Sequence, residues 1–522
     1  MKTVKSILPL FSVMILVFAV SLMAKTYNIK DFGAVDDGIT INTVAIQNTI
    51  NKCRDEGGGI VLIPTGTFIS GSIQLFSNIN LHLESGAVLK GSPDVKDYYL
   101  NKIKVGLIYT ENSNNVFITG QGNIDGSGDV FMDQAHSKVF DSVSTQYTRQ
   151  KNHFREVKNG LGDGPLVPLD RPFQMIIFSS CKNVTVTGVL ISNSPFWTLH
   201  FADCDGVIVS DLKLWNSLMI PNNDGIDVTS CSNVLISNCD IRTGDDAIAI
   251  TGYSHHFDLP GYKNIIHDSE NIAVTNCYLV SRSSAIRIGG WDQNNMRNYT
   301  FNNIVISNSN RGINLCVRDK GSIEDMIFSN IVIKTHLHTG DWWGNGEPIH
   351  ISDIKGQDTA GLGEINNIKF NHIIAEGESG MLVYGTEESI IKNISFEDVT
   401  FKLKESPLNP VCGGNFDLRP AVDPELTMFS HDIPAFYAGY VKNIKLDNFE
   451  VKWGNIRETY FTNGLEVSHF NNVSINNFSG DPAPSDKDAA AVLLKDGKKY
   501  RISNSVTLRN DSEFLSTINV EK

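Results

Sequence analysis

Short runs in which apolar and polar residues alternate recur along most of this chain, each opened by a turn residue that is usually asparagine. They read S-N-N-V-F-I-T-G at Asn115, C-K-N-V-T-V-T-G at Asn183, C-D-G-V-I-V-S at Gly206, C-S-N-V-L-I-S-N at Asn233 and S-E-N-I-A-V-T-N at Asn271. The same pattern returns at Asn298, Asp325, Asn367, Asn393, Asn443 and Asn472. Alternation of period two predicts strands with one buried face. Recurrence at about 23 to 29 residues, wherever the pattern is uninterrupted, predicts stacked coils. No single coil can bury its inner face, so an all-β parallel β-helix, a solenoid folding as one cooperative body, is expected. Asparagine suits the strand entrances because it tolerates left-handed backbone and can stack its amide on the coil above. Near-helical spacing appears in N-T-V-A-I-Q-N-T-I-N-K-C, where Val44, Ile46 and Ile50 would share a face and Asn42 would be the N-cap. One short capping helix over the open N-terminal end is therefore expected.

Where the repeat breaks, insertions fall at roughly 129 to 172, 252 to 269, 337 to 365 and 402 to 440. Loops of this length in a compact solenoid are expected to be functional walls or lids. The expected layout is residues 1–24 as a signal peptide, 25–100 as cap and first coils, 101–480 as the main body and 481–522 as a C-terminal cap or tail. The first segment carries Lys2 and Lys5, an apolar run from Ile7 to Val20 and small residues up to Ala24, the layout of a secretory signal. A secreted or periplasmic location follows, with no other membrane association. The net charge of −14 argues against a general binder of nucleic acid or anionic membrane, and an anionic substrate would need a local basic patch. Of the eight cysteines, Cys181, Cys204 and Cys231 hold matching repeat positions, so stacked thiols and disulfides are both open.

Chemistry concentrates between Asn222 and Ile250. The segment N-N-D-G-I-D-V is followed, about twenty residues on, by T-G-D-D-A-I-A-I. Aligning the two stacks Asp224 on Asp246, so Asp224, Asp245 and Asp246 gather at one end of adjacent strands. Cleaving a glycosidic bond calls for a proton donor and, with inversion, a base activating water across the ring, the two carboxyls roughly 6.5 to 9.5 Å apart. Groups on coils stacked about 4.8 Å apart and laterally offset can meet that spacing. Asp-Gly and Gly-Asp-Asp are also ordinary turn sequences, but three acids in register favour function. Crowded like charges would keep a proton on one of them near neutral pH.

These motifs, with the upstream D-F-G-A-V-D-D-G and G-x-G-x-I-D-G-x-G, make the chain from residue 26 to about 480 resemble glycoside hydrolase family 28, the polygalacturonase-like family. The resemblance implies a right-handed parallel β-helix and an inverting glycosidase. It also implies Asp245 as general acid, with Asp224 and Asp246 holding the attacking water. The family's G-H-G should fall near Arg282 to Ser284, where the chain reads R-S-S, and its R-I-K near Asn314 to Cys316, where it reads N-L-C.

The repeat register suggests a substitute. His200, Asp227, Ala249, Arg287 and Asn314 should form one outward column, since the aliphatic residues flanking each must face the core. Arg287, with Arg282, Arg311 and Arg318 nearby, is expected to form a patch that binds an anionic or polyhydroxylated sugar. Asn222, Asp227, His200, Asn314, Arg311 and Trp291 complete the expected binding set, with Trp197, Trp342 and Trp343 as further stacking platforms. No metal or cofactor is expected, because the pairs His255–His256 and His336–His338 lack a third ligand at a recognisable spacing. The reading is an exo-acting inverting hydrolase of an α-linked, uronic-acid-containing polysaccharide or oligosaccharide. A glycosidase for a neutral or modified sugar, a polysaccharide lyase, and a non-catalytic glycan-binding β-helix are its alternatives. Nothing in the sequence speaks to oligomeric state.

Overall fold

The computed structural model describes residues 25–141, 143–254 and 265–521. The repeats do form coils. The strands Ile176–Ser179, Lys182–Thr187 and Leu190–Ser192 make one turn, and Leu199–Ala202, Asp205–Ser210 and Lys213–Trp215 make the next directly on top of it. Every ladder between coils is parallel, as in Val184 to Val207 to Val234 to Ile272. Among the described residues, thirty-four strands join in this way into one right-handed solenoid.

Inward residues align from coil to coil and leave water together. Phe301, Phe328, Phe370 and Phe396 stack at 4.7 to 4.9 Å between ring centroids, and all four are fully buried. Outside, the turn asparagines form ladders. Asn183 Nδ2 donates to Asn115 Oδ1 at 2.7 Å and Asn472 Nδ2 to Asn443 Oδ1 at 2.8 Å. Each of these asparagines has φ between 55 and 70°, the left-handed region expected of them.

The helix Thr43–Asp55 buries Ile46, Ile50 and Cys53 against the first coils. Val44, expected on that face, is instead exposed. Asn42 precedes the helix but its side chain turns back to Val35 and Thr40, closing the preceding loop rather than capping. At the other end, Val492–Ser503 and Leu515–Glu521 pair onto the stack, so the C-terminal stretch prolongs the solenoid. The signal peptide expected over residues 1–24 lies outside the described residues, within which no helix is long and apolar enough to cross a membrane. All eight cysteines are free and buried.

One face departs from period-two burial. The strands Leu199–Ala202, Ile226–Thr229, Ile248–Thr251, Ser284–Gly290 and Arg311–Val317 are buried at every position, inward and outward alike. The insertions explain this, because they fold over the face. Residues 129 to 172 carry an antiparallel pair, Met132–Ser137 with Leu166–Pro168, and residues 402 to 440 carry Asn415–Asp417 with Met428–Ser430. A buried charge cluster ties them down. The Asp417 carboxylate takes Arg155 at 3.3 Å, Arg419 at 2.7 Å and the Gly344 N–H at 2.9 Å, and Arg311 beneath donates to the Asp417 carbonyl. Three insertions and the coil body thus meet at one aspartate, whose carboxyl the surrounding arginines hold far below the carboxylate range against the cost of burial.

Candidate active site

Asp224 and the Asp245–Asp246 pair occupy the same turn on neighbouring coils. Two glycines allow the coils to approach: a Cβ on Gly225 would lie 2.4 Å from the Ala247 carbonyl, and one on Gly244 would lie 2.3 Å from that of Ile220. Buried Asn223 pins the turns together, its Oδ1 accepting from the N–H groups of Gly244 at 2.7 Å and Asp245 at 3.2 Å. Asp245 is oriented by the Asn222 N–H at 3.0 Å and the Asp246 N–H at 3.1 Å, one on each carboxylate oxygen. Asp246 accepts from the Ser284 N–H at 2.9 Å and from Arg287 Nε. One oxygen from each of the three acids lies within 4.8 Å of the others. Their nearest oxygens converge in this way because the turns of neighbouring coils are laddered directly, the Gly225 N–H donating to the Asp246 carbonyl. Among the described residues these oxygens also converge closely enough to hold a cation, but Arg287 already stands among them as compensating charge.

The cluster opens into a cavity of about 650 Å³. Its floor is Asn222, Asp224, Asp245, Asp246 and Arg287. Aromatic sides come from Phe196, Trp197, Tyr253, Trp291, Trp342 and Trp343. The far wall is built by insertion residues Lys138, Asp141, Ser144, Asp341, Arg419 and Pro420 to Val422. Burial, reinforced by the charge of Asp246, pushes the Asp245 carboxyl up to about 6. Burial raises Asp224 and Asp227 well above the carboxylate range, with the neighbouring acids adding to it and Arg287 opposing it. One oxygen of Asp224 and one of Asp227 have no hydrogen-bond partner among the described residues.

The expected column exists: His200, Asp227, Ala249, Arg287 and Asn314 are successive register partners. Only Arg287 of the five lines the cavity. His200 is buried beneath Trp197, 5.1 Å between rings, and bonds Thr229 at 3.1 Å. Asp227 and Asn314 are likewise covered. The expected arginine patch is not a surface. Arg311 and Arg318 are fully buried and spend their guanidiniums on Asp417, Leu418, Pro420 and Ser352, because the 402 to 440 insertion closes over them. Arg282 is half-buried beside His338. Nor do His336 and His338 pair: each takes its own carboxylate, Glu378 and Asp163. His255 and His256 lie outside the described residues.

The sequence reading missed Lys138, Asp341 and Arg419, as well as Arg171, which grips Asn222 Oδ1 at 2.9 Å and the Pro221 carbonyl at 2.7 Å. The breaks in the repeat mark the insertions as walls, but no local signal says which of their residues face inward.

Residues 169–406 match the model of Glycosyl hydrolases family 28. A relative named "Probable polygalacturonase" from Vitis vinifera is 24% identical over 69% of this chain and 71% of its own. An "Endo-polygalacturonase" of Pectobacterium carotovorum subsp. carotovorum is 23% identical over 69% of this chain and 86% of its own. Among solved structures, the exopolygalacturonase of Thermotoga maritima superposes with a TM-score of 0.56 at 25% identity, covering 73% of this chain and 87% of that one. A bacteriophage HK620 tailspike reaches the same TM-score at 12% identity, a likeness of fold alone. With three aspartates clustered in the pocket of a parallel β-helix and these relatives beside it, the chain is a glycoside hydrolase that resembles the polygalacturonase-like enzymes of family 28.

Proposed function

We propose that the enzyme hydrolyses an α-linked, galacturonate-containing polysaccharide or oligosaccharide from the chain end, with inversion. The observation that carries this is a largely buried Asp245, protonated up to about pH 6, facing a walled pocket beside two further acids. Asp245 donates its proton to the glycosidic oxygen as the bond to the anomeric carbon breaks. A water held by Asp224 and Asp246 attacks that carbon from the opposite face and passes its proton to the pair. One water donating both O–H groups near the tetrahedral angle spans oxygens about 4.6 Å apart at ordinary hydrogen-bond lengths, and the acid oxygens lie within 4.8 Å of one another, so the cluster accommodates it. Both Asp246 oxygens accept hydrogen bonds, which suits a carboxylate that orients water better than one that attacks carbon.

Residues of three insertions wall the pocket, which supports exo-action; relatives named as exo- and as endo-acting are both found. Lys138, paired with Asp341 but more than half exposed on the wall, is the cation best placed for a uronate carboxylate, since Arg287 is buried among the acids. That engagement of the floor arginine is also what favours the second reading, a neutral-sugar glycosidase. Export of the chain belongs to the same proposal.

Incubation with pectic oligosaccharides and polygalacturonan, followed by NMR of the anomeric proton, tests the reading. Monomer or dimer should appear with inverted configuration before viscosity falls. Retained configuration, or a fall in viscosity ahead of small products, overturns the corresponding part.

A further inference from the structure

Resting on the hydrolase reading above, we infer that Arg287 is a positioning residue of the acid cluster: its guanidinium orders and charge-compensates Asp246 and Asp224, the pair that holds the water, and does not grip the substrate.

The geometry is specific. Arg287 Nε bonds Asp246 Oδ2, and Nη2 stands 3.9 Å from Asp224 Oδ2. Nη1 donates to the Gly289 carbonyl at 2.7 Å, so all three nitrogens are directed. The side chain is only 5% exposed. Its aim is set by register. Ile286 and Ile288 on either side are fully buried inward, which turns Arg287 to the pocket face. Its partner one coil back is Ala249, small enough for the guanidinium to lean across to the acids. Gly290 leaves room as well, since a Cβ there would lie 2.9 Å from the Tyr253 hydroxyl and 3.5 Å from Nη1.

The need for such a residue is electrostatic. Asp224, Asp227, Asp245 and Asp246 are packed together away from bulk water, and like charges at this density cannot all ionise. A fixed cation on one side decides where negative charge is most stable. Arg287 bonds Asp246 and stands beside Asp224 but makes no pair with Asp245, so it favours negative charge on Asp246 and leaves protons to the acids it does not bond, Asp245 among them. Removing the cation while keeping the fold should therefore disorder water attack and let protons spread through the cluster.

The test compares wild type, R287K and R287Q on a natural oligosaccharide and on an aryl glycoside whose leaving group needs no protonation. R287Q is expected to lose about 100-fold in kcat, with KM within about threefold. Its loss should persist on the aryl glycoside, where D245N recovers, because water attack is still required there. R287K should retain part of the activity. The basic limb of the pH profile, set by Asp245, should move above pH 6 in R287Q. A rise in KM with kcat and the limb unchanged would make Arg287 a substrate grip and overturn the inference.

A readout without turnover covers the case where R287Q is inactive for other reasons. Acids whose folded pKa is raised bind more protons in the fold than in the unfolded chain, so they cost stability as pH rises from about 4. In R287Q this decline should be steeper and reach higher pH than in wild type; parallel curves of melting temperature against pH would count against the role. If wild type hydrolyses no glycoside, the hydrolase reading fails, while the melting curves still report on Arg287.

Discussion

The floor and the wall of the pocket are built by different physics. On the floor, Asp224, Asp245 and Asp246 stand in turns that the backbone ladders stack a coil apart, and Arg287 lies on a strand between the core aliphatics Ile286 and Ile288. On the wall, Lys138, Asp341 and Arg419 come from three insertions more than 200 residues apart in places, and side-chain charge holds them: Lys138 and Arg419 each meet Asp341 at 2.6 Å, and Arg419 returns to Asp417. A floor of this kind tolerates little lateral variation, because each turn must fit the next. A wall can be rebuilt loop by loop while its anchor persists. On the proposed reading, reaction chemistry is placed on the rigid element, and substrate selection on the element that can vary.

The sharpest way to break this contrast is at Asp245. D245N should lose about 1,000-fold in kcat on a natural substrate, with circular dichroism unchanged. Because the folded carboxyl sits near 6, the wild-type fold loses stability as pH rises from about 4 to 6. D245N lacks that loss and should melt higher than wild type at pH 7.5. A variant keeping a tenth of the activity would remove Asp245 as the acid.

The wall is tested next by D417N. Replacing a fully buried carboxylate that faces three arginines should cost about 3 to 5 kcal/mol in denaturant unfolding, leaving guanidiniums uncompensated. Since the folded carboxyl lies far below its ordinary value, the difference from wild type should be full above about pH 4 and shrink as pH falls further. An unchanged midpoint would mean that the insertions are held by something else. If the fold survives, products should shift from short to mixed lengths as the pocket loosens.

A smaller effect separates the two regions by function. K138Q should raise KM for a free uronate oligosaccharide by about fivefold, the scale of one exposed ion pair, and less for its methyl ester. Equal changes on both would dissociate the wall from charge recognition. The smallest effect concerns the scaffold beneath both. At Asn183, with φ of 55°, alanine should cost about 1 to 2 kcal/mol from left-handed backbone besides the lost ladder bond. Glycine should lose only the bond, about 1 kcal/mol. Equal melting temperatures for N183A and N183G would remove backbone strain as the reason for asparagine.

Much of the floor was legible in the residues. Period-two alternation gave the strands and the spacing of repeats gave the stack. The register placed His200, Asp227, Ala249, Arg287 and Asn314 in one column, because in a parallel stack a one-residue slip would turn every aliphatic outward. What the column could not show was its cover. His200 and Asn314 face outward yet never meet the pocket, since inserted loops lie over them. Arg311 and Arg318 read as a surface patch for the same reason: an arginine on a strand looks exposed until a distant segment brings Asp417 and its neighbouring carbonyls to it. Arg287 carried the opposite ambiguity, and only its contact with Asp246 distinguishes a substrate ligand from a counter-ion.

The sequence by itself determined the solenoid, its register and the three acids that share one turn, because these depend on local periodicity repeated at a fixed interval. Tertiary structure alone decided that the acids converge to within 4.8 Å, that Arg287 is directed to two of them, and that Lys138, Asp341 and Arg419 close the opposite side. Those outcomes depend on where loops of irregular length return and on which buried charges find partners, and neither is written in the spacing of residues along the chain.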